Sequence, residues 1–202
     1  LQKGDVMKLM AMTMNDRESE LARLMFVFSC FTGMAITDME NLKYSHIQTA
    51  ADGQRYIRKE RQKTKVEFVV PLHPIAEAII NYYRKEQARN EEQQTVKEKG
   101  VSLVFQPHCS RSVMGKNLSI VGKACGIRQR LSYHVARHTF GTMSLSAGIP
   151  IESIAKMMGH ASISSTQIYA QVTDNKISED MDRLIAKQSA KDKETKVSHP
   201  NK

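Results

Sequence analysis

A mainly α-helical fold with one small antiparallel β-sheet, an α+β class, follows from three features of this sequence. Apolar side chains recur every three or four residues along most of the chain, the period of amphipathic helices. One interval breaks that pattern: after the turn pair Asp52-Gly53, residues 54–72 read as a two- or three-stranded antiparallel sheet. The length, 202 residues, suffices for one substantial core and at most a small subdomain.

In order, Val6, Leu9 and Met10 mark a helix over residues 4–14. Asn15-Asp16 can cap a second helix running through Leu21, Leu24, Met25, Val27 and Phe28. Its end is apolar on more than one side, which predicts a buried element. A turn and a short helix follow over 31–42, then the sheet. If its strands are regular, Arg61, Lys63 and Lys65 project from one side, because strand side chains alternate. The next helix runs to about Asn90, and the charged and amide-rich stretch 84–99 reads as its solvated end and a loop. Residues 101–105 form a short buried strand or extended segment, with His108 and Cys109 in the loop beyond it. Val113, Leu118, Val121 and Ala124 place a helix over 112–126, closed by Gly126. The helix bearing His134 breaks at Ala147-Gly148-Ile149-Pro150, where Gly suits a helix end and Pro a new start. Ile151, Ile154, Ala155 and Met158 form another helix, stopping at Gly159-His160. Ser164 as N-cap and Gln167 three residues later make a capping box for a helix carrying Tyr169. Helical spacing continues to about residue 186, which sets a domain over 1–186. The polar remainder, 187–202, is expected to be disordered.

The net charge of +9 favours a polyanionic partner. Cys30, Cys109 and Cys125 lack metal-ligand spacing and read as reduced, intracellular thiols. No apolar run approaches a membrane span. The opening Leu1-Gln2-Lys3-Gly4 is unlike a signal peptide, and the start without Met reads as a cut from a longer protein. The sequence has no Gly-rich phosphate loop ending in GK[ST] and no clustered carboxylates suited to two metals, so neither nucleotide nor metal cofactor is expected.

Chemistry concentrates in 132–172. Arg137 and His138 stand three and four positions past His134, so one helical face can carry all three. HVARH, then GH, then a tyrosine nine residues on resembles the catalytic C-terminal motif of tyrosine recombinases, the phage-integrase family of site-specific DNA recombinases. The resemblance runs from about Leu24 to Val172. It implies the tyrosine recombinase catalytic-core fold, and a reaction in which Tyr169 attacks a DNA phosphodiester to give a 3′-phosphotyrosyl enzyme. Arg137 would hold the non-bridging oxygens, His134 would accept or relay the phenolic proton, and His160 would donate a hydrogen bond to the phosphate. The family's hairpin lysine would protonate the departing 5′-oxygen. Matching back from Val70-Pro71-Leu72 selects Lys63 for it, with Lys65 as the alternative. His138 reads as a support. Tyr44 and Tyr133 are of the right type for a nucleophile, but only Tyr169 has the distance from GH that the motif requires.

One departure stands out. The resemblance places the family's first active-site arginine at position 35, which is Ala35. Arg61 is the nearest candidate to supply the missing phosphate clamp. Lys65, Lys116, Lys123, Arg128 and Arg130 are expected to contact DNA phosphates, which positions a duplex without reading its sequence. The departure at 35 resembles integrases of Bacteroides-type mobile elements, such as conjugative transposons. The implied partners are double-stranded DNA, further recombinase protomers in a DNA-bound tetramer and an accessory DNA-bending protein, at the nucleoid in a bacterial cytoplasm and with no membrane. The family's usual N-terminal helical DNA-binding domain is not in this sequence. Two rivals share the residues: a DNA-binding relative silenced by Ala35, and a type IB topoisomerase-like relaxase. A helix-turn-helix factor over 148–160 leaves Lys63, Arg137 and Tyr169 unexplained.

Overall fold

The central element is a helix, α2 (Arg17–Thr32), buried on nearly every side. The computed structural model describes residues 1–93, 103–106, 109–168, 181–182 and 185. Within them, α1 (Lys3–Ala11) precedes α2, and α3 (Ile36–Glu40) follows it. A single 3-10 turn at Tyr44–His46 leads into β1 (Ile47–Thr49), β2 (Arg55–Glu60) and β3 (Glu67–Pro71). Then come α4 (Pro74–Gln93), α5 (Arg111–Ala124), α6 (Tyr133–Ser146), α7 (Ile151–Met158) and the one-turn α8 (Ser164–Gln167). The α+β class read from the sequence is the observed one.

Local chemistry sets the limits of α2. Asp16 accepts a hydrogen bond from the Ser19 amide at 2.7 Å, satisfying one of the free donors of the first turn. At the other end Gly33 adopts φ +67°, and its amide returns to Ser29 O at 2.9 Å. A Cβ at Gly33 would lie 2.5 Å from the Phe140 ring, so glycine here also lets α6 close on α2. Phe26 and Phe28 are fully buried from α2. Phe105 meets Phe28 and Tyr83 edge to face, at 5.1 and 5.2 Å between centroids, which locks α4 and the 103–106 segment onto the same core. That segment also makes one antiparallel bridge, Lys43 to Leu103.

The sheet is antiparallel in the order β1-β2-β3, with Ile57 opposite Val70 and Lys59 opposite Phe68. Its inner face carries Ile57, Lys59, Phe68 and Val70. Two sequence expectations are corrected. The strands are not regular through Arg61, Lys63 and Lys65: β2 stops at Glu60, residues 61–66 form the hairpin loop, and Lys65 takes φ +57°. No common side can therefore be assigned to the three cations by alternation. Nor is Ser164 an N-cap. It is the first residue of α8, Ile163 holds the cap position, and the Ser164 amide is instead taken by the Ser162 hydroxyl at 3.1 Å.

The chain divides into two units, Leu1–Tyr169 and Ala170–Lys202. Of the second, only Met181, Asp182 and Ile185 are described, in helical conformation with exposed side chains. The expected tail 187–202 and Tyr169 itself lie outside the described residues. No helix among the described residues is long and apolar enough to cross a membrane.

Candidate active site

Helix α6 starts where the Ser132 hydroxyl accepts from the Val135 amide at 3.3 Å, and its first two turns present His134, Arg137 and His138. Arg137 turns inward and is 6% exposed. Its Nη1 donates to Gly33 O and its Nη2 to Met158 O, the latter at 2.6 Å. Both carbonyls belong to helix C-termini, those of α2 and α7, where partial negative charge collects. His134 and His138 stay nearer the surface and join through their Nε2 atoms at 2.7 Å. The His138 ring has its pKa lowered by burial, then by His134 and Arg137.

The second contribution comes from the β2–β3 hairpin, docked on the end of α7. Gly159 caps α7 at φ +61°, and its carbonyl accepts from Arg61 Nη1 at 3.3 Å and from Thr64 Oγ1 at 3.2 Å. A Cβ there would meet Arg61 Cδ at 3.2 Å and Phe68 Cβ at 3.3 Å. Arg61 also has Nε 3.7 Å from Asp38 Oδ2, while Asp38 Oδ1 accepts from the Gln62 amide at 2.9 Å. Among the described residues, the buried Arg61 Nε–H has no hydrogen-bond acceptor. Lys63 stands exposed in the loop between these anchors, as does Lys65, whose ammonium is 3.9 Å from Glu60.

The third is His160, directly after the Gly159 turn. Its Nδ1 lies 2.7 Å from Thr166 Oγ1, and its backbone amide donates to Ala155 O at 3.0 Å. Burial, then the Arg137 and Arg61 guanidinium groups, push its pKa down to about 4, so the ring is neutral at pH 7. Both cations thus act on one imidazole. Ala35, where the resemblance leads one to expect an arginine, is the N-cap of α3 with no side-chain bond, though its carbonyl accepts from the amides of Asp38 and Met39.

Not every residue singled out joins this cluster. Lys116 and Lys123 on α5, and Arg128 and Arg130 beyond it, are exposed. Tyr133 is unsuited to attack: its hydroxyl donates to Ala22 O at 3.3 Å, and burial raises its pKa. Reasoning from sequence missed Asp38, Thr64, Thr166 and Lys59. Asp38 carried a weak signal, an acid in the first turn of a short helix three residues after Ala35. Lys59 is a buried strand cation whose pKa burial lowers and the Asp38 carboxylate raises. Nothing in their local pattern marks Thr64 or Thr166. Among the described residues no three His, Cys, Asp or Glu side chains gather to hold a metal ion.

A profile of the phage integrase family matches residues 1–176. The chain belongs to the phage integrase family. Among relatives, tyrosine recombinase XerD of Lacticaseibacillus casei is 28% identical over 153 residues, 75% of this chain and 50% of that protein. Tyrosine recombinase XerA of Pyrococcus furiosus is 28% identical over 189 residues, 91% of this chain and 60% of the relative. The integrase-family chain thus spans about half to three fifths of these relatives' length. Of solved structures, XerA recombinase superposes with TM-score 0.69 at 21% identity, covering 91% of this chain and 64% of that one. XerH bound to palindromic difH substrate gives 0.67 at 20% identity, covering 90% and 52%. The Tn1549 transposon integrase with circular intermediate DNA gives 0.61 at 17%, covering 91% and 66%. These likenesses establish the fold of an integrase catalytic domain.

Proposed function

We propose that this integrase-family chain is the catalytic part of a site-specific DNA recombinase that breaks and rejoins strands through Tyr169. The observation that carries the reading is the meeting of Arg137, Arg61 and His160 around the turn at Met158 and Gly159, with the Lys63 hairpin fastened to the Gly159 carbonyl and Arg137 to that of Met158. Phosphoryl transfer is catalysed largely by positioning and by charge placed where the transition state develops it. In the proposed step the Tyr169 oxygen attacks phosphorus, its proton passing to His134, as the bond to the 5′-oxygen breaks. Lys63 gives that oxygen a proton, and Arg137 and Arg61 hold the non-bridging oxygens while His160 donates to one of them. The product keeps a phosphoester on the enzyme, so the 5′-hydroxyl of another strand can reverse the step without a nucleotide.

The unsatisfied Arg61 Nε–H supports Arg61 as the replacement for the arginine absent at Ala35, because it is a buried donor without an acceptor. That substitution also favours the lineage of Bacteroides-type mobile elements, acting as a tetramer on duplex DNA with an accessory bending protein. Joining of a closed circular element to a target duplex tests the lineage, and resolution of tandem sites alone would refute it.

A duplex nicked beside the cleavage site traps the covalent intermediate. We expect an adduct with the parent chain, none with Tyr169→Phe, and loss with Lys63→Ala or Arg61→Ala. Parent-level adduct from Arg61→Ala removes the substitute clamp. DNA binding without any adduct gives the silent relative, the rival that Ala35 raises. Relaxation of plasmids lacking a cognate site gives the topoisomerase.

A further inference from the structure

We infer that Thr166 is a positioning residue that fixes His160 as a donor through Nε2. Thr166 is completely buried, and its hydroxyl lies 2.7 Å from His160 Nδ1. A buried hydroxyl needs an acceptor for its proton, and among the described residues no carbonyl takes it. Nδ1 is the acceptor within reach. If the hydroxyl donates to Nδ1, the neutral ring must carry its proton on Nε2, since the bond made by one imidazole nitrogen decides the state of the other. Nε2 has no hydrogen-bond partner among the described residues, so that N–H is left for a ligand.

The surroundings make the choice consequential. Burial, then Arg137 and Arg61, keep this ring neutral, so it has a single proton to place on one nitrogen or the other. A ring with that proton on Nδ1 would meet a phosphate oxygen with the Nε2 lone pair and repel it. The Thr166 hydroxyl at Nδ1 opposes that outcome. It reaches Nδ1 because α8 turns back six residues after His160, and the Ile163 carbonyl holds the Thr166 amide at 2.7 Å. The backbone of His160 is fixed separately, its amide held by Ala155 O at 3.0 Å.

This inference rests on the recombinase reading for its functional consequence, but not for its first test. Long-range ¹⁵N–¹H spectra of histidine-labelled protein at pH 7 report the tautomer of His160 without any DNA, with His160→Asn supplying the assignment. We expect the Nε2–H form in the parent chain and in Thr166→Ser, and the Nδ1–H form or a mixture in Thr166→Val. The Nδ1–H form in the parent overturns the inference, whatever the variants do, and so does an unchanged tautomer in folded Thr166→Val. The second readout is adduct formation on the nicked duplex. Thr166→Val should slow it roughly ten- to a hundredfold at unchanged DNA affinity, with Thr166→Ser near the parent rate. A parent that shows the Nε2–H form but never forms an adduct refutes the recombinase reading alone.

Discussion

His160 is held down in pKa first by burial and then by the Arg137 and Arg61 guanidinium groups, and part of the acid response of the molecule follows from that. Its pKa falls from the ordinary 6.5 to about 4 on folding. Between these values the unfolded chain binds more protons than the folded one, so stability rises with pH there. The contribution is whole above about pH 6.5 and is lost as pH falls towards 4. His160→Asn should therefore flatten part of the acid slope in denaturant midpoints measured between pH 4 and 7. His138 and His46 are also shifted down and keep the remainder of the slope. An unaltered slope would mean that neither burial nor the two cations depresses this ring. Arg137 and Asp38 are a contrasting pair at this scale. The HxxR spacing announced the arginine, whereas the role of Asp38 depends on a loop 24 residues away and has no local signature.

At the scale of elements, the junction between the hairpin and α7 is held through one glycine carbonyl. Gly159→Ala forces an L side chain into the left-handed region, which costs about 1–2 kcal/mol. It also drives a methyl against Arg61 and Phe68. We expect a lower unfolding midpoint together with slower adduct formation, while Gly53→Ala, with open space around its Cβ, should lower stability only. Equal losses of activity in the two variants would refute the docking role. Helix α2 was legible because its Asp16 cap is a local signal, α5 because of its apolar spacing and closing Gly126, and α6 because of the break at Ala147-Gly148-Ile149-Pro150. The hairpin loop was not. Alternation assumes a strand that continues, and nothing in Arg61-Gln62-Lys63-Thr64-Lys65 says that Thr64 bonds to a residue 95 positions later. The three-residue β1 is too short for any period to show, and α8 misled because Ser162, not Ser164, takes up the free amide.

For the whole molecule, a charge of +9 gathers meaning from where it lies. Lys116 and Lys123 are two helical turns apart on α5 and both exposed, with Arg128 and Arg130 beyond them. If these side chains contact phosphates, binding weakens with salt at a logarithmic slope of about 0.9 per contact. Lys116→Ala with Lys123→Ala should lower that slope by up to about two, with equal effect on cognate and unrelated duplexes. An unchanged slope would place the duplex elsewhere. The family resemblance and the catalytic-core fold were both readable from 132–172, because the motif compresses distant chemistry into fixed spacings. The partners of Arg61 and His160 were not, because they arise only when the hairpin and two helix ends meet.

Arg137 has one more consequence. The same guanidinium closes the last turns of α2 and α7, so it is a rivet as well as a proposed anchor for phosphate. A molecule that has joined those two helices already has this charge in its final place, before any DNA arrives. No ligand is needed to recruit it, and no folded form should exist with the helices seated and this charge astray.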